Sequence, residues 1–362
     1  MKKLLLALAA LLTLASCAEK KPAFPLYGWE GLGKNPDLEE VRSRFETYKS
    51  HGFKGVCVNA DIADIPALAA LAHEVGLEYH AWKPCMLQDG EPHSWYSVNR
   101  LGQSADEYPA YVDYYKALDP GNPEVQEYIA GLAGEIAAIP DVDYVQLDYI
   151  RYADAILARG LWDKYGIDFS KGPYPPADYC YCERCVTEFK EKTGIDILAV
   201  EDPQAVPEWT AFRCGKVTEL VTKVCDAVHA LGKKVSADVF PGPDSYAVPM
   251  VRQQWNDWPL DMVFPMNYND FYLEGPEWLA TVTAEEVKAM GDAAPVISGL
   301  FICHDWQRKA EIKDPEGHGL LPSELATAVK GSLDAGAAGI CLFTPGSMTP
   351  EHWAELDKLI LK

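Results

Sequence analysis

Positive charge is scarce in this chain of 362 residues. Asp and Glu number 54 against 32 Lys and Arg, so the formal net charge is −22 at pH 7. A surface this acidic repels the phosphates of nucleic acids and of anionic lipid headgroups. We therefore expect no nucleic-acid partner and no membrane contact through a basic surface, and the sequence indicates no particular protein partner.

Long hydrophobic runs are confined to the N terminus. Lys2 and Lys3 precede an apolar stretch that is too short to span a bilayer as a mature helix, and the stretch ends in Leu14-Ala-Ser-Cys17. This arrangement is typical of an export signal, and its ending resembles the lipobox of bacterial lipoproteins. We predict a signal peptide over residues 1–17 that ends at a lipidated Cys17, with an ordinary signal peptide as the alternative. The protein would then be an exported lipoprotein, held in the cell envelope only by its lipid anchor.

Several motifs that mark other classes of enzyme are missing from the chain. No Gly-rich phosphate loop follows the first predicted strand, which disfavours a doubly wound nucleotide-binding sheet. No Ser-His-Asp ordering is evident. The eight His residues include no H-x-H after the first strand and no other pair at ligand spacing, which disfavours a metal-dependent hydrolase. We therefore expect no cofactor for catalysis.

The pattern that is present is a regular alternation of strand and helix signals. After a short tether at 18–24, eight apolar strand signals alternate with helix signals. Strict alternation with short apolar strands predicts an α/β fold, a single (β/α)8 TIM barrel over residues 25–362. Long loops follow strands three and four, on the side where a barrel builds its active site. The predicted strands cover residues 24–30, 55–61, 77–86, 142–152, 234–240, 260–268, 295–302 and 338–344.

Polar and aromatic side chains gather at the predicted strand ends, which meet at one mouth of a barrel. Among them, Asp148 and Asp238 would stand on neighbouring strands, although either could instead be a strand-end cap. Two carboxyl groups among aromatic rings suit glycoside hydrolysis, in which one protonates the leaving oxygen and the other acts as nucleophile or base. We predict that these two Asp residues are catalytic. We predict substrate binding by other residues near the strand ends: Trp29, Glu30, Asn59, Trp82, Arg151, Asn267, Tyr268, His304 and Asp305.

The chain resembles glycosyl-hydrolase-like family 10 in several short segments. They are LDYIRY at 147–152, LDPGNPEV at 118–125, VSADVF at 235–240 and the run from QQW to DMVFPMNY at 253–268. Members of that family are exported, often lipid-anchored bacterial proteins with a TIM-barrel domain related to the α-amylase-type clan. The resemblance implies hydrolysis of an extracytoplasmic polysaccharide such as a cell-envelope glycan. It also implies that Asp148 on strand four is the nucleophile and Asp238 on strand five is the general acid.

The sequence departs from the α-amylase-type layout at two positions. The general acid of that layout is usually Glu, one methylene longer than Asp238, and the Arg that stands two residues before the nucleophile is Gln146 here. Arg151 follows the nucleophile instead and would pair with a carboxylate, lowering its pKa. These departures leave a second function open, that of a non-catalytic barrel that binds carbohydrate.

A cysteine run follows strand four, with Cys180, Cys182 and Cys185 in a C-x-C-x-x-C spacing. Three thiolates at this spacing can surround one tetrahedral zinc ion if a fourth ligand comes from elsewhere. The segment resembles the loop after strand four of family 42 β-galactosidases, in which a Cys after strand three joins such a run on a structural zinc. This resemblance implies Cys85 as the fourth ligand, and four thiolates would leave no open position for catalysis. The alternatives are a disulfide between Cys85 and the run, or free thiols.

Overall fold

The computed structural model describes residues 23–360. The predicted signal peptide, the lipidation site Cys17 and most of the predicted tether lie outside the described residues. Within them, no helix is both long and apolar enough to cross a membrane.

Strands and helices alternate along the chain, and each predicted strand is found at its expected place. In chain order the strands are β1 (Leu26–Gly33), β2 (Gly55–Ala60), β3 (Glu78–Pro84), β4 (Tyr144–Asp148), β5 (Lys234–Val239), β6 (Met262–Pro265), β7 (Ile297–Phe301) and β8 (Gly339–Phe343). The helices are α1 (Leu38–Ser50), α2 (Ile65–Val75), α3 (Pro123–Ala137), α4 (Trp162–Tyr165), α5 (Glu183–Thr193), α6 (Pro207–His229), α7 (Val248–Val251), α8 (Trp278–Met290), α9 (Leu325–Asp334) and α10 (Pro350–Ile360).

The strands form one parallel sheet in the order β6-β5-β4-β3-β2-β1-β8-β7. The two ends of this order, β6 and β7, are joined by the parallel bridges Val263–Val296 and Met266–Gly299. The sheet therefore closes almost completely into a barrel, with the helices outside it. This architecture confirms the predicted (β/α)8 barrel.

Side chains along each strand alternate between the barrel interior and the helix layer, because successive Cβ atoms of a strand point to opposite faces. The interior is filled by one buried cluster, to which β1 contributes Tyr27 and Trp29. Its other buried members are Cys57, Tyr144, Met262, Phe264, Ile297 and Cys341. The intervening residues, such as Val56 and Val58 on β2, belong to the larger core under the helices. This alternation decides which strand-end side chains can reach the mouth.

The two long connections are residues 85–122, here the β3 loop, and residues 149–206, here the β4 loop. They are hydrogen-bonded to each other through their backbones. The amide of Tyr181 donates to the carbonyl of Val98 at 2.7 Å, and the amide of Arg100 donates to that of Asp178 at 3.0 Å. The β3 loop ends where Asn122 caps α3 by accepting a hydrogen bond from the Glu124 amide at 3.0 Å. The two loops therefore form one connected layer.

The segment after β5 differs from expectation. Its sequence predicts one helix at about 246–258, but the structure has a π-helical turn at Pro243–Ala247, the four-residue α7 and a separate 3-10 turn at Trp255–Asp257. Arg252 ends α7 because it adopts φ 61°, in the left-handed region. The Arg252 guanidinium lies 3.4 Å from the Asp178 carboxylate, and Gln253 accepts a hydrogen bond from the Phe240 amide at 2.9 Å. These contacts tie the segment to the β4 loop and to the end of β5.

Candidate active site

Asp148 and Asp238 lie side by side on neighbouring strands. The register of β4 and β5 pairs Gln146 with Ser236 and Leu147 with Ala237, so Asp148 and Asp238 are the next residues along the two strands. Because residues two apart on a strand share a face, both carboxyl groups have the inward orientation of Tyr144, which belongs to the interior cluster. The strands thus bring the two predicted catalytic residues to one place inside the mouth.

The Asp148 carboxyl group is held by a donor on each oxygen. The indole N–H of Trp82 donates to Oδ2 at 2.9 Å, and the amide of Tyr149 donates to Oδ1 at 2.6 Å. Tyr149 itself adopts φ 48°, a left-handed conformation that non-Gly residues rarely take. Burial raises the pKa of Asp148, whereas the Trp82 hydrogen bond and the positive charge of Arg151 oppose that rise.

The Asp238 carboxyl group lies deeper, at 1% exposure. Its Oδ1 accepts hydrogen bonds from Gln146 at 2.5 Å and from the indole of Trp29 at 3.1 Å. Within residues 23–360, no donor or acceptor reaches Oδ2. Burial and the negative charge of Asp148 raise the pKa of Asp238 well above its usual value. Of the two carboxyl groups, Asp238 is therefore the better candidate to carry a proton.

The indole of Trp29 reaches Asp238 because β7 offers a glycine beside it. A Cβ atom on Gly299 would lie 2.7 Å from the Trp29 ring and 2.6 Å from a backbone oxygen of β6. No L side chain fits at that distance without moving the ring or the strand. Trp29 thus lies beneath the mouth and positions Asp238.

A cavity of about 440 Å³ opens above Asp148. Four residues of the predicted site line it, namely Trp82, Asp148, Arg151 and Tyr268. Tyr268 stacks on Phe343, with ring centroids 5.7 Å apart. Aromatic and aliphatic side chains dominate the remaining lining, which includes Tyr111, Tyr115, Tyr149, Leu157, Leu161, Phe240, Phe271, Tyr272 and Phe301.

One wall of the cavity is built around Arg151. Its guanidinium donates to Asp154 at 2.7 Å and to the Tyr115 hydroxyl at 2.9 Å. It also lies between two rings, 4.8 Å from the centroid of Tyr149 and 4.6 Å from that of Phe240. The Tyr115 hydroxyl donates in turn to Asp154. This buried, hydrogen-bonded ion pair presents polar groups to a cavity that is otherwise mostly aromatic.

The sequence profile of the family described as Glycosyl hydrolase-like 10 matches residues 60–289. The chain belongs to this family. The match covers more than half of the chain and includes both Asp148 and Asp238, and it confirms the family predicted from the short motifs. A comparison with curated protein sequences finds no match.

Solved structures that resemble this Glycosyl hydrolase-like 10 chain include several glycoside hydrolases. The catalytic domain of β-amylase from Paenibacillus polymyxa is 12% identical, with a TM-score of 0.58 over 94% of this chain and 98% of that one. The α-galactosidase from Lactobacillus brevis is 11% identical, with a TM-score of 0.52 over 94% of this chain and 40% of that one. The spore cortex-lytic enzyme SleL from Bacillus cereus is 9% identical, with a TM-score of 0.50 over 94% and 75%. These likenesses establish the fold.

Two predicted substrate-binding residues face the helix layer instead of the cavity, which corrects the expectation for them. Glu30 follows the inward Trp29, so the alternation of β1 turns it outward, where it accepts a hydrogen bond from Tyr48 of α1. Asn267 donates to Glu286 of α8 and to Ser298, both at 3.0 Å. Every second residue of a strand faces inward. Applied to the sequence from a known inward residue, this rule would have excluded both Glu30 and Asn267 from the cavity.

The remaining predicted residues lie outside the cavity lining. Asn59 donates to the backbone carbonyl of Trp82 at 3.2 Å. His304 contacts the carbonyl of Ser347 at 3.2 Å, and Asp305 pairs with Arg308 at 3.7 Å on the surface. Neither His304 nor Asp305 lines the cavity, contrary to expectation.

Most of the residues that line the cavity were not identified from the sequence. Phe301 and Phe343 end their strands at inward positions and could have been found by the alternation. Tyr111, Tyr115 and Asp154 lie in the two long loops, where no periodic pattern indicates which side chains turn inward. Their positions depend on contacts between residues that are 39 or more positions apart in the sequence.

The cysteine run is only partly arranged as predicted. Cys180, Cys182 and Cys185 lie together, but the fourth group among them is Asp119, and all four ligand atoms lie within 4.8 Å of one another. Cys85 is not part of this group; its thiol donates to the Lys83 carbonyl at 3.3 Å, and its amide donates to the Asp148 carbonyl at 2.8 Å. All cysteines among residues 23–360 are free thiols. The expected ligand set therefore needs correction at one position.

Proposed function

We propose that this protein is a glycoside hydrolase that acts on an extracytoplasmic polysaccharide, with Asp148 and Asp238 as its carboxyl pair. The observation that carries the proposal is the register of β4 and β5, in which Asp148 and Asp238 directly follow the paired Leu147 and Ala237, with Asp148 lining an aromatic cavity. Family membership and the fold of the similar structures support a glycosidase-like protein. The pair and the substrate are our assignment.

In this proposal the two carboxyl groups take different roles because their surroundings differ. Asp148 has a donor on each oxygen and a guanidinium nearby, which favours its anion, and it acts as nucleophile. Asp238 is buried beside the negative charge of Asp148, which raises its pKa well above the usual value, so it holds a proton and acts as general acid. Environments that separate the pKa values of two carboxyl groups are how glycosidases divide acid from nucleophile.

The stereochemical course follows from the spacing of the strands. Neighbouring strands lie about 4.8 Å apart, so side chains at registered positions are expected near the separation of about 5 Å that is typical of retaining enzymes rather than the roughly 6.5–9.5 Å of inverting ones. We therefore propose that Asp148 forms a covalent glycosyl ester, displacing the leaving oxygen as Asp238 donates its proton. Water then hydrolyses the ester, with Asp238 accepting a proton and returning to its acid form.

The cavity residues suggest how a sugar would be held. Trp82 and Tyr268 flank Asp148 and offer apolar faces to a ring, as aromatic residues do in carbohydrate sites. Arg151 and Asp154 would bind hydroxyl groups through the donors and acceptors that their own pairing leaves free. The proposed location is that of an exported lipoprotein, with Cys17 lipidated and the barrel facing an envelope or environmental glycan.

The decisive experiment is a screen of the purified full chain against peptidoglycan glycan strands, amino-sugar polymers and other polysaccharides, with detection of newly formed reducing ends. Release of reducing ends by the wild type, abolished in Asp148→Asn, is the expected result. Turnover that survives in Asp148→Asn would contradict the role given to Asp148.

A second candidate function is a barrel that binds carbohydrate without hydrolysing it. The observation in its favour is the depth of Asp238, which is 1% exposed and absent from the cavity lining. On this hypothesis the wild type and Asp148→Asn would bind the same glycan, measured by calorimetry, and neither would release reducing ends. The same screen thus distinguishes the two functions.

A further inference from the structure

Four metal-binding side chains meet at the junction of the two long loops. Asp119 lies near the end of the β3 loop, Cys180 and Cys182 belong to the β4 loop, and Cys185 lies in the first turn of α5. Their ligand atoms lie within 4.8 Å of one another. Asp119 and Cys180 are fully buried and Cys185 is 1% exposed, so the group is shielded from solvent on most sides.

Backbone N–H groups point at the sulfur atoms. The amides of Val98 and Cys182 lie 3.4 and 3.5 Å from Sγ of Cys180, and the amide of Cys185 lies 3.5 Å from Sγ of Cys182. Cys182 is also the N-cap of α5, where the helix dipole favours negative charge. Both features stabilise thiolates, which are the form of cysteine that binds metal.

Asp119 is the polar centre of the cluster. Arg184 donates to Oδ2 of Asp119 at 2.5 Å, and the amide of Gly121 donates to Oδ1 at 2.9 Å. The thiols of Cys182 and Cys185 donate to the same carboxylate at 3.3 and 3.8 Å, so Asp119 and the sulfur atoms already face one common point. A metal ion at that point would replace the thiol protons, and its charge would balance the buried anions that remain.

We propose that Asp119, Cys180, Cys182 and Cys185 bind one structural zinc ion. Three sulfur donors and one carboxylate oxygen form a donor set that zinc accepts in tetrahedral geometry, with Zn–S distances of about 2.3 Å and sulfur atoms therefore about 3.8 Å apart. The observed grouping reaches that spacing with small side-chain movements. Four protein ligands leave no open position, so the ion holds the structure together and takes no part in hydrolysis.

The proposed ion would fasten the loops that supply the cavity wall. It joins the β3 loop, which carries Tyr111 and Tyr115, to the β4 loop, which carries Asp154. The Tyr115 hydroxyl donates to Asp154 across the junction of the same two loops. Zinc would thus hold the loops in the relative position that this contact needs. This inference does not rest on the proposed hydrolase activity.

The test is the metal content of the purified full chain and its variants, measured by mass spectrometry of the elements. We expect one zinc ion per wild-type chain, loss of that zinc in Asp119→Ala, and its retention in Asp119→Cys, which restores a fourth ligand. Cys85→Ser is the matched control and should keep its zinc. Loss of zinc in Cys85→Ser together with retention in Asp119→Ala would overturn the assignment in favour of a four-cysteine site.

A second measurement keeps the proposal testable if a variant fails to fold. The wild-type chain is alkylated with and without prior treatment by a zinc chelator, and the labelled cysteines are mapped by peptide mass spectrometry. We expect the chelator to increase labelling of Cys180, Cys182 and Cys185 and to lower the melting temperature. A wild-type chain that is free of metal, whether its thiols are reduced or joined in disulfides, would contradict the proposal.

Discussion

The cavity has a floor and a wall that are built in different ways. The floor is formed by the strand residue Asp148, with Asp238 and Trp29 beneath it, and the parallel register and the alternation of side chains hold all three in place. The wall consists of loop residues such as Arg151 and Asp154, which hold each other by a buried ion pair. The floor is therefore fixed by the fold, while the wall depends on a few specific contacts. Changes in the two regions should have different consequences.

The largest effect should come from the floor, in Asp148→Asn. An amide cannot act as nucleophile, so kcat should fall by on the order of 10³-fold or more, while glycan binding and the melting temperature change little. Steady-state kinetics with calorimetry of the bound glycan measure both. Asp226→Asn, an exposed position on α6, is the matched control and should leave kcat unchanged. A comparable loss in that control would remove the distinction between floor and surface.

Changes in the wall should lower the free energy of unfolding, and Arg151→Met should lower it most. This change removes the partner of Asp154 in a buried pair, with exposures of only 7% and 9% for the two side chains. Breaking such a pair from one side costs about 3–5 kcal/mol. The free energy of unfolding, measured by urea titration, should fall by that amount. In Arg151→Met combined with Asp154→Asn much of the loss should be recovered, and a loss equal to the sum of the single changes would contradict the pairing.

A pH titration of stability sharpens the comparison within the floor. The folded chain holds a proton on Asp238 at pH values where the unfolded chain has lost it, because burial and the charge of Asp148 raise its pKa. The contribution to stability is fully present below the ordinary Asp pKa and is lost as the pH rises towards the raised value. In the wild type this loss amounts to at most about 1.4 kcal/mol per pH unit for a single group. Asp238→Asn should abolish it. Parallel pH profiles of wild type and variant would contradict the raised pKa.

The smallest effect should come from Tyr111→Phe in the wall. Its hydroxyl donates to the backbone carbonyl of Asp154, and loss of one such hydrogen bond costs about 1 kcal/mol. Thermal unfolding should show a correspondingly small decrease in melting temperature. Tyr108→Phe in the same loop, at 52% exposure, is the control and should change nothing measurable. Equal effects in the two variants would mean that the wall contact contributes no stability.

The floor was predictable from the sequence because its chemistry follows a short-range rule. Apolar strands of even spacing give the barrel, and the residues that end them give Asp148, Asp238 and Trp82. The predictions for Glu30 and Asn267 were wrong because they considered only that these residues lie near strand ends. They did not consider which face of the strand each side chain is on. A period of two, started from the inward Trp29, places Glu30 against α1, where the structure has it.

The wall and the cysteine cluster were less predictable because they depend on contacts between distant loops. The spacing of Cys180, Cys182 and Cys185 predicts a common site, since the three residues lie in one short turn. Asp119 is separated from them by about sixty residues, and only the pairing of the two loops brings it there. In the same way, nothing local indicates that Tyr115 meets Asp154.

The most direct test of the central claim is chemical trapping of Asp148. An activated 2-deoxy-2-fluoro derivative of a sugar that the wild type hydrolyses should form a stable glycosyl ester, which peptide mass spectrometry can locate. The account predicts a label on Asp148 that is absent from Asp148→Asn. A label on any other residue, or steady turnover of the sugar without a trapped ester on Asp148, would contradict it.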